Sequence, residues 1–308
     1  MDVSVVLATY KRQDILQKTL ESFSQLDCPA LKWELWVVDN AGDPATEKVV
    51  QTWAEKLPIN YLVELEAGKN NAINRALAEI NGQLVVLTDD DIIANPDWLI
   101  QLWQGAQRWP EHVVFGGRVL PHWPSGYGPH DLSNPYLVGA YAIANWAFPE
   151  GEYEPIKVFG PNMAVRRKIF DEGWRFDGSI GPCQNPGYVM GSETELVMRL
   201  EKAGNSPVYL PGALVCHQIR PEQMNFEWLK KRAFRAGLGA AALDSNDPDV
   251  KCFAGVPRYL IRKYFEAYFD YVRTRLQNPS KVIEAGMRLY TLKGMISAYR
   301  RMRKRENN

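Results

Sequence analysis

What this 308-residue sequence lacks narrows its function before any motif is read. It has no net charge: thirty-six Lys and Arg are cancelled by thirty-six Asp and Glu. Nucleic-acid-binding domains usually carry a clear basic excess, so no nucleic-acid partner is expected. Its four cysteines, Cys28, Cys183, Cys216 and Cys252, lie far apart and form no C-x-x-C pair. A zinc site or disulfide framework is therefore not expected, and a reducing compartment fits. No apolar run approaches the roughly 18 residues of a membrane-spanning helix. Val3-Ser4-Val5-Val6-Leu7 reads as a strand and begins too early for a signal peptide. The expected location is cytoplasmic. Internal repeats and low-complexity tracts are also missing.

Apolar residues at 46% and charged residues at 23% can fill a substantial core. The zero net charge hides an asymmetry. From Val256 to Glu306, 13 Lys and Arg stand against four Asp and Glu, so this end carries about +9. Tyr259, Tyr264, Phe265, Tyr268, Phe269 and Tyr271 interleave there with Arg258, Arg262, Lys263 and Arg273. Such helices suit peripheral contact with the inner face of a membrane. They equally suit packing on the rest of the chain or on a second subunit, which leaves homo-oligomerisation open.

Strand-like and helix-like runs alternate over the first 120 residues. Val3–Thr9, Leu35–Asp39, Tyr61–Leu65, Leu84–Thr88 and Val113–Leu120 read as strands. Arg12–Gln25, Ala45–Glu55, Lys69–Ile80 and Pro96–Trp109 read as helices between them. The alternation predicts an α/β fold, a mostly parallel sheet flanked by helices. Pro121–Pro155 is rich in Pro, Gly and aromatics and reads as a long irregular connection, with a short helix near Leu137–Trp146. Gly178–Gly191, with Gly181-Pro182 and Pro186-Gly187, reads as a second loop. Glu193–Ala203 is helical, Ser206–Tyr209 and Ala213–Cys216 are short strands, and Phe226–Asp244, Val256–Leu276 and Ser280–Arg305 are helices. The expected organisation is an α/β half over 1–120, a second half of the same domain over 121–224, and a helical extension over 225–308.

Thr88-Asp89-Asp90-Asp91 closes a buried apolar strand. In extended backbone, residues i and i+2 share a face, so Asp89 and Asp91 can present two hard oxygen ligands together. Magnesium and manganese accept such ligands and complete their shells with water and substrate phosphates. Asp39 ends another strand, and ligands of open α/β sheets bind beyond such carboxyl ends. Without that strand, the triplet would read as an acidic turn capping the next helix.

Six segments in order resemble glycosyltransferase family 2. They are Val5-Val6-Leu7-Ala8-Thr9-Tyr10-Lys11-Arg12, Val37-Val38-Asp39-Asn40, Gly68-Lys69-Asn70-Asn71-Ala72-Ile73-Asn74, Leu87-Thr88-Asp89-Asp90-Asp91, Gly160-Pro161-Asn162-Met163-Ala164-Val165-Arg166-Arg167 and Gly191-Ser192-Glu193-Thr194-Glu195-Leu196. The resemblance spans about residues 3–240. It departs at Ala8, where proline is frequent, at Ile73, and at Ser192-Glu193, where many relatives have Glu-Asp. It implies a GT-A fold, with a nucleotide-sugar-binding half over 1–120 and an acceptor-binding and catalytic half over 121–224, a nucleotide-diphospho-sugar donor with UDP as the default, inversion at the anomeric carbon, and a glycan or lipid-linked acceptor in polysaccharide or glycoconjugate biosynthesis. It implies that Thr9, Tyr10 and Arg12 line the base pocket, that Asp39 bonds the base or ribose, and that Lys69 and Asn74 lie against the nucleotide. Asp89 would face the ribose or donor sugar with Asp90 less direct, and Asp91 would ligate the metal. His217, at the end of the strand Ala213–Cys216, stands where relatives often carry a metal-binding histidine.

Chemistry supports several of these roles. The leaving diphosphate gains negative charge that a divalent metal and Lys69 can offset. The acceptor hydroxyl must lose a proton, and Glu193 in the first turn of a helix is the candidate base, with Glu195 as the fallback. Asn162 can bond a sugar hydroxyl, with Gly160 allowing close approach of backbone to ligand. Tryptophans in the loops are as readily core as sugar platforms. A nucleotidyltransferase is the rival enzyme. It would need a glycine-rich loop after the first strand, where this chain has Ala8-Thr9-Tyr10-Lys11-Arg12. A catalytically silent scaffold of the same fold is the non-enzyme alternative. The absence of spanning helices argues against a processive, polymer-extruding synthase.

Overall fold

The computed structural model describes residues 1–183, 185, 187–243 and 250–306; Pro186 and Asp244 lie outside the described residues. Its contacts divide the chain into two units. The first comprises Met1–His122, Ala142–Gln184 and Ser192–Gln218, and the second Trp123–Tyr141, Asn185–Gly191 and Ile219–Asn308.

The first unit is built on one sheet. Its strands are β1 (Val3–Thr9), β2 (Trp33–Asp39), β3 (Ile59–Val63), β4 (Leu84–Asp89), β5 (Ile92–Ala94), β6 (Val114–His122), β7 (Gly151–Glu152), β8 (Met163–Arg166) and β9 (Pro207–Gln218). They lie in the order β3-β2-β1-β4-β8-β6-β9-β5, with β7 paired to β9. β3, β2, β1 and β4 are mutually parallel, β6 and β9 are parallel, and β8, β5 and β7 run antiparallel to their neighbours.

Period-two alternation divides the core. Val3, Val5 and Leu7 of β1 pack on one face with Leu16, Leu20 and Phe23 of α1 (Gln13–Phe23). Val6 points to the other face, with Ala72, Ile73 and Ala76 of α3 (Lys69–Ala76) and Leu196, Val197 and Leu200 of α7 (Ser192–Lys202). Both faces are therefore covered, as a buried parallel sheet requires. α2 (Pro44–Trp53) starts at a proline after Asp43, whose side chain accepts from the Ala45 N–H at 3.0 Å. α4 (Trp98–Arg108) places Trp98, Leu99 and Leu102 in the core.

Several sequence expectations shift here. α3 ends at Ala76 rather than Ile80, and α4 starts at Trp98 rather than Pro96. The two strands expected over 206–216 are one strand, β9, with an irregular register opposite Gly117 and Arg118. β5, β7 and β8 were not foreseen. Three strands of two to four residues carry too little periodicity to read. α7 begins at Ser192 rather than Glu193 and ends at Lys202 rather than Ala203.

The second unit is mostly helical: α5 (Pro135–Ala140), α8 (Phe226–Leu243), α9 (Arg258–Gln277) and α10 (Val282–Glu306), with a hairpin of β10 (Cys252–Phe253) and β11 (Val256–Pro257) before α9. α6 (Arg167–Asp171) belongs to the first unit. α8 and α10 meet backbone to backbone at two glycines. A Cβ on Gly237 would run into the Thr291 carbonyl, and one on Gly294 into the Phe234 carbonyl. The short helix expected near 137–146 is α5 and lies slightly earlier. No helix among the described residues is long and apolar enough to cross a membrane.

Candidate active site

The register sets the site. Thr9 stands beside Asp39, and Ala8 beside Asp89, so the ends of β1, β2 and β4 are level. After Asp89 the chain turns through Asp90 and Asp91 into β5, which pairs with β9 so that Ile92 faces His217. The pairing carries His217 to the neighbourhood of Asp91, with Nε2 3.4 Å from Oδ1. The Gln218 N–H donates to the Asp91 carbonyl at 2.7 Å. Thr19 of α1 donates to the carbonyls of Asp90 and Ile92 at 2.8 and 2.9 Å, which fixes the turn from below.

Charge in this turn is compensated from the start of α1. Arg12 reaches Asp90 Oδ1 through Nη1 and Asp91 Oδ2 through Nη2, both at 2.5 Å. Burial works against its charge, but Asp90, Asp91 and Asp89 outweigh that and hold the guanidinium above its ordinary pKa. Burial also raises Asp90, as do Asp91 and Asp89; Arg12 and the Thr9 hydroxyl, which donates to it at 2.7 Å, pull the other way, and the carboxyl is left at about 6. Burial would raise Asp91 too, but His217 and Arg12 overcome it and hold this carboxyl well below the usual range. Asp91 is thus kept ionised.

The opposite wall is joined by one lysine. Lys69 Nζ lies 2.5 Å from Asp89 Oδ1 and 2.7 Å from Glu193 Oε1. Burial disfavours its charge, and the two carboxylates more than restore it, so its pKa lies above the ordinary value. Lys69 opens α3 after Gly68, whose φ of 135° is a conformation that favours glycine. Glu193 lies in the first turn of α7 directly over Gly160; a Cβ there would overlap the carboxylate, 2.6 Å from its Cδ. The close approach that Gly160 permits is therefore made by Glu193, not by a ligand.

Other expected donor-site residues are engaged within the fold. Asn162 is buried, donates to the carbonyls of Arg118 and Ala213 at 2.9 and 2.8 Å, and accepts from the Trp98 indole at 2.9 Å. Both amide hydrogens are consumed, so it ties β6, β9 and α4 together and has none left for a sugar hydroxyl. Asn74 exchanges bonds with the Phe176 backbone, donating to its carbonyl at 2.8 Å and accepting from its N–H at 3.1 Å, and so pins the following loop instead of facing a nucleotide. Asp39 is buried and accepts from the N–H groups of Ala41 and Asp43 at 2.8 and 2.7 Å and from the Tyr61 hydroxyl at 2.9 Å. It shapes the β2–α2 loop from beneath. Tyr10, one residue past the end of β1, is exposed. Sequence reasoning missed Asn40, which donates to the carbonyls of Glu64 and Glu66 at 2.7 and 2.8 Å and accepts from the Gly68 N–H at 2.8 Å, positioning the start of α3. Its only signal was its place after Asp39 in a resembling segment.

Among the described residues, no three His, Cys, Asp or Glu side chains form a ready-made cage for a metal ion. Asp91 and His217 form a pair of one carboxylate and one imidazole. Such a pair fits a cation that takes its remaining ligands from phosphates and water, and its nitrogen suits manganese better than magnesium.

The model of the family described as "Glycosyl transferase family 2" matches residues 4–174, just over half of the chain. The chain belongs to this family. It is 27% identical over 254 residues to the glucosyl-dolichyl phosphate glucuronosyltransferase of Haloferax volcanii, covering 79% of this chain and 78% of that protein. It is 23% identical over 239 residues to glycosyltransferase AglE of the same organism, covering 77% and 72%. Among solved structures, the mannosyltransferase PcManGT from Pyrobaculum calidifontis, in complex with GDP-Man and Mn2+, has a TM-score of 0.64 at 19% identity, covering 96% of this chain and 86% of that one. Staphylococcus aureus TarS 1-349 in complex with UDP-GlcNAc has a TM-score of 0.56 at 14% identity, covering 99% and 92%. The fold is thus of the GT-A type, and the chain is a glycosyltransferase. Nothing found favours the nucleotidyltransferase or the silent scaffold.

Proposed function

We propose that this glycosyltransferase moves a sugar from a nucleoside diphospho-sugar to a hydroxyl of a glycan or lipid-linked acceptor, with inversion and with a divalent cation. Polysaccharide or glycoconjugate synthesis is the setting this chemistry serves. The observation that carries the reading is Lys69, which joins Asp89 at the end of β4 to Glu193 on α7 and so brings both walls into one crevice. Glu193 accepts the proton of the acceptor hydroxyl as its oxygen bonds the anomeric carbon and the bond from that carbon to the diphosphate oxygen breaks. A single displacement of this kind inverts the anomeric centre. Asp91 and His217 would hold the cation, which supplies positive charge against the diphosphate. Arg12 keeps Asp90 and Asp91 in place, and Lys69 adds charge on the other wall. Thr9, Tyr10 and Arg12 border the side where the base and ribose would lie.

The neighbours solved with GDP-Man and UDP-GlcNAc carry different bases, so the fold does not choose between them. UDP-sugars are the donors to test first and GDP-sugars second. The experiment is manganese-dependent hydrolysis and transfer across a panel of both, with the product anomer read by NMR. Turnover of at least one donor with inversion is expected. No turnover together with no metal-dependent nucleotide binding would remove the reading, and retention would remove the single displacement.

A further inference from the structure

Helix α9 is apolar on two sides. Leu260 and Ala267 are buried in the core of the second unit, and Tyr264 and Tyr271 pack there with them. At 3.6 residues per turn these four share an arc of about 60°. Phe265, Phe269, Val272 and Leu276 follow each other at i, i+4, i+7 and i+11, in a second arc of about 60° centred roughly 140° from the first. They are 54%, 67%, 40% and 80% exposed. A helix packed on one side is normally polar on the other. Single exposed apolar residues need no explanation, but a continuous stripe of four marks a surface that something covers.

The rim of the stripe says what covers it. Arg258, Arg262 and Arg273 lie along it or on one side and Arg275 on the other, all exposed. The two acids of the helix, Glu266 and Asp270, approach Arg262 and Arg273 only at 3.6 and 3.7 Å. Tyr259 and Tyr268 are also exposed, and their rings have one apolar and one wettable end. A second copy of this chain docked by the same face would set arginine against arginine. An anionic bilayer meets both features, taking apolar side chains at the headgroup–acyl boundary and guanidinium groups at its phosphates.

We propose that α9 docks this protein on an anionic membrane surface, with Phe265, Phe269, Val272 and Leu276 entering the interface and Arg258, Arg262, Arg273 and Arg275 meeting lipid phosphates. The full chain is co-sedimented with mixed phosphatidylcholine–phosphatidylglycerol vesicles and with phosphatidylcholine alone. Binding at least about tenfold stronger to the mixed vesicles is expected, and it weakens as salt is raised. Phe269→Glu/Leu276→Glu and, separately, Arg262→Glu/Arg273→Glu should each weaken it at least about tenfold with an unchanged circular dichroism spectrum. Their side chains are exposed, so folding is not expected to suffer. Equal binding to both vesicle types, wild-type binding by the stripe variant, or no binding at low salt would each overturn the proposal. So would sedimentation velocity showing that the stripe variant dissolves a homodimer while vesicles capture nothing. None of these measurements uses a donor or an acceptor, so they are independent of the proposed reaction.

Discussion

Changing Lys69 and Glu193 singly and together separates the charge balance of the crevice from its chemistry. One ammonium holds an oxygen of Asp89 at 2.5 Å and an oxygen of Glu193 at 2.7 Å, so the two oxygens are at most about 5 Å apart. At an effective dielectric of about 20, two negative charges at that distance repel by about 3 kcal/mol. Water reaches all three side chains in part and screens this repulsion. Lys69→Met removes the cation and leaves the repulsion, and should cost about 1–3 kcal/mol in urea unfolding. Adding Glu193→Gln removes one of the two charges and should restore most of that loss. Glu193→Gln alone keeps the Lys69–Asp89 pair and should change stability by less than about 1 kcal/mol. It deletes the proton acceptor, however, and should lower turnover at saturating donor by about 10²- to 10⁴-fold. If Glu193→Gln turns over within about threefold of wild type, the base lies elsewhere. If the double variant is no more stable than Lys69→Met, the two carboxylates are not coupled through Lys69.

Three further outcomes follow from the geometry. Gly160→Ala inserts a methyl group where the Glu193 carboxylate lies and should cost about 10² in turnover, read by initial rates, with nucleotide affinity retained. Asn162→Ala strands two carbonyls and an indole N–H, at about 1–3 kcal/mol each at most, and should lower stability in urea by about 3 kcal/mol or more; unchanged stability with lost turnover would instead mean a ligand contact. Loss of even an outer partner weakens metal sites by about 10- to 100-fold, so Asp91→Asn and His217→Ala should each raise the manganese needed for half-maximal transfer at least tenfold. Equal manganese requirements would remove both from the metal site.

The α/β alternation was readable because β1, β2 and β4 are short, nearly all-apolar runs, which a sheet covered on both faces demands. The acidic turn was readable because it interrupts such a run. The approach of His217 to Asp91 was not physically readable; resemblance alone suggested it. It depends on the register of three-residue β5 against β9, and local sequence does not encode which distant strand completes a pair. Asn74, Asn162 and Asp39 expose a different limit. A segment that approaches a ligand needs polar side chains to hold its own backbone as much as to touch the ligand, and the same residue types serve both ends. Gly160 is the sharpest instance. The residue type announced a close approach, and only the fold showed that a carboxylate from α7 makes it.

Arg12 ties these observations together. Asp89, Asp90, Asp91 and Glu193 place four carboxylates around the crevice, against two permanent cations, Arg12 and Lys69. Burial, and to a smaller extent the neighbouring acids, favours protonation at Asp90. Asp91 escapes it because Arg12 holds one of its oxygens while His217 lies beside the other. A crevice with this surplus of negative charge would repel a bare diphosphate. It would admit one that arrives with a divalent cation, because the cation offsets the surplus at the carboxylate the fold keeps ionised. Under the proposed reaction the ion pair of Arg12 with Asp91 would hold a metal ligand ready, while burial, with Asp91 and Asp89 adding to it, leaves the neighbouring Asp90 able to bear a proton.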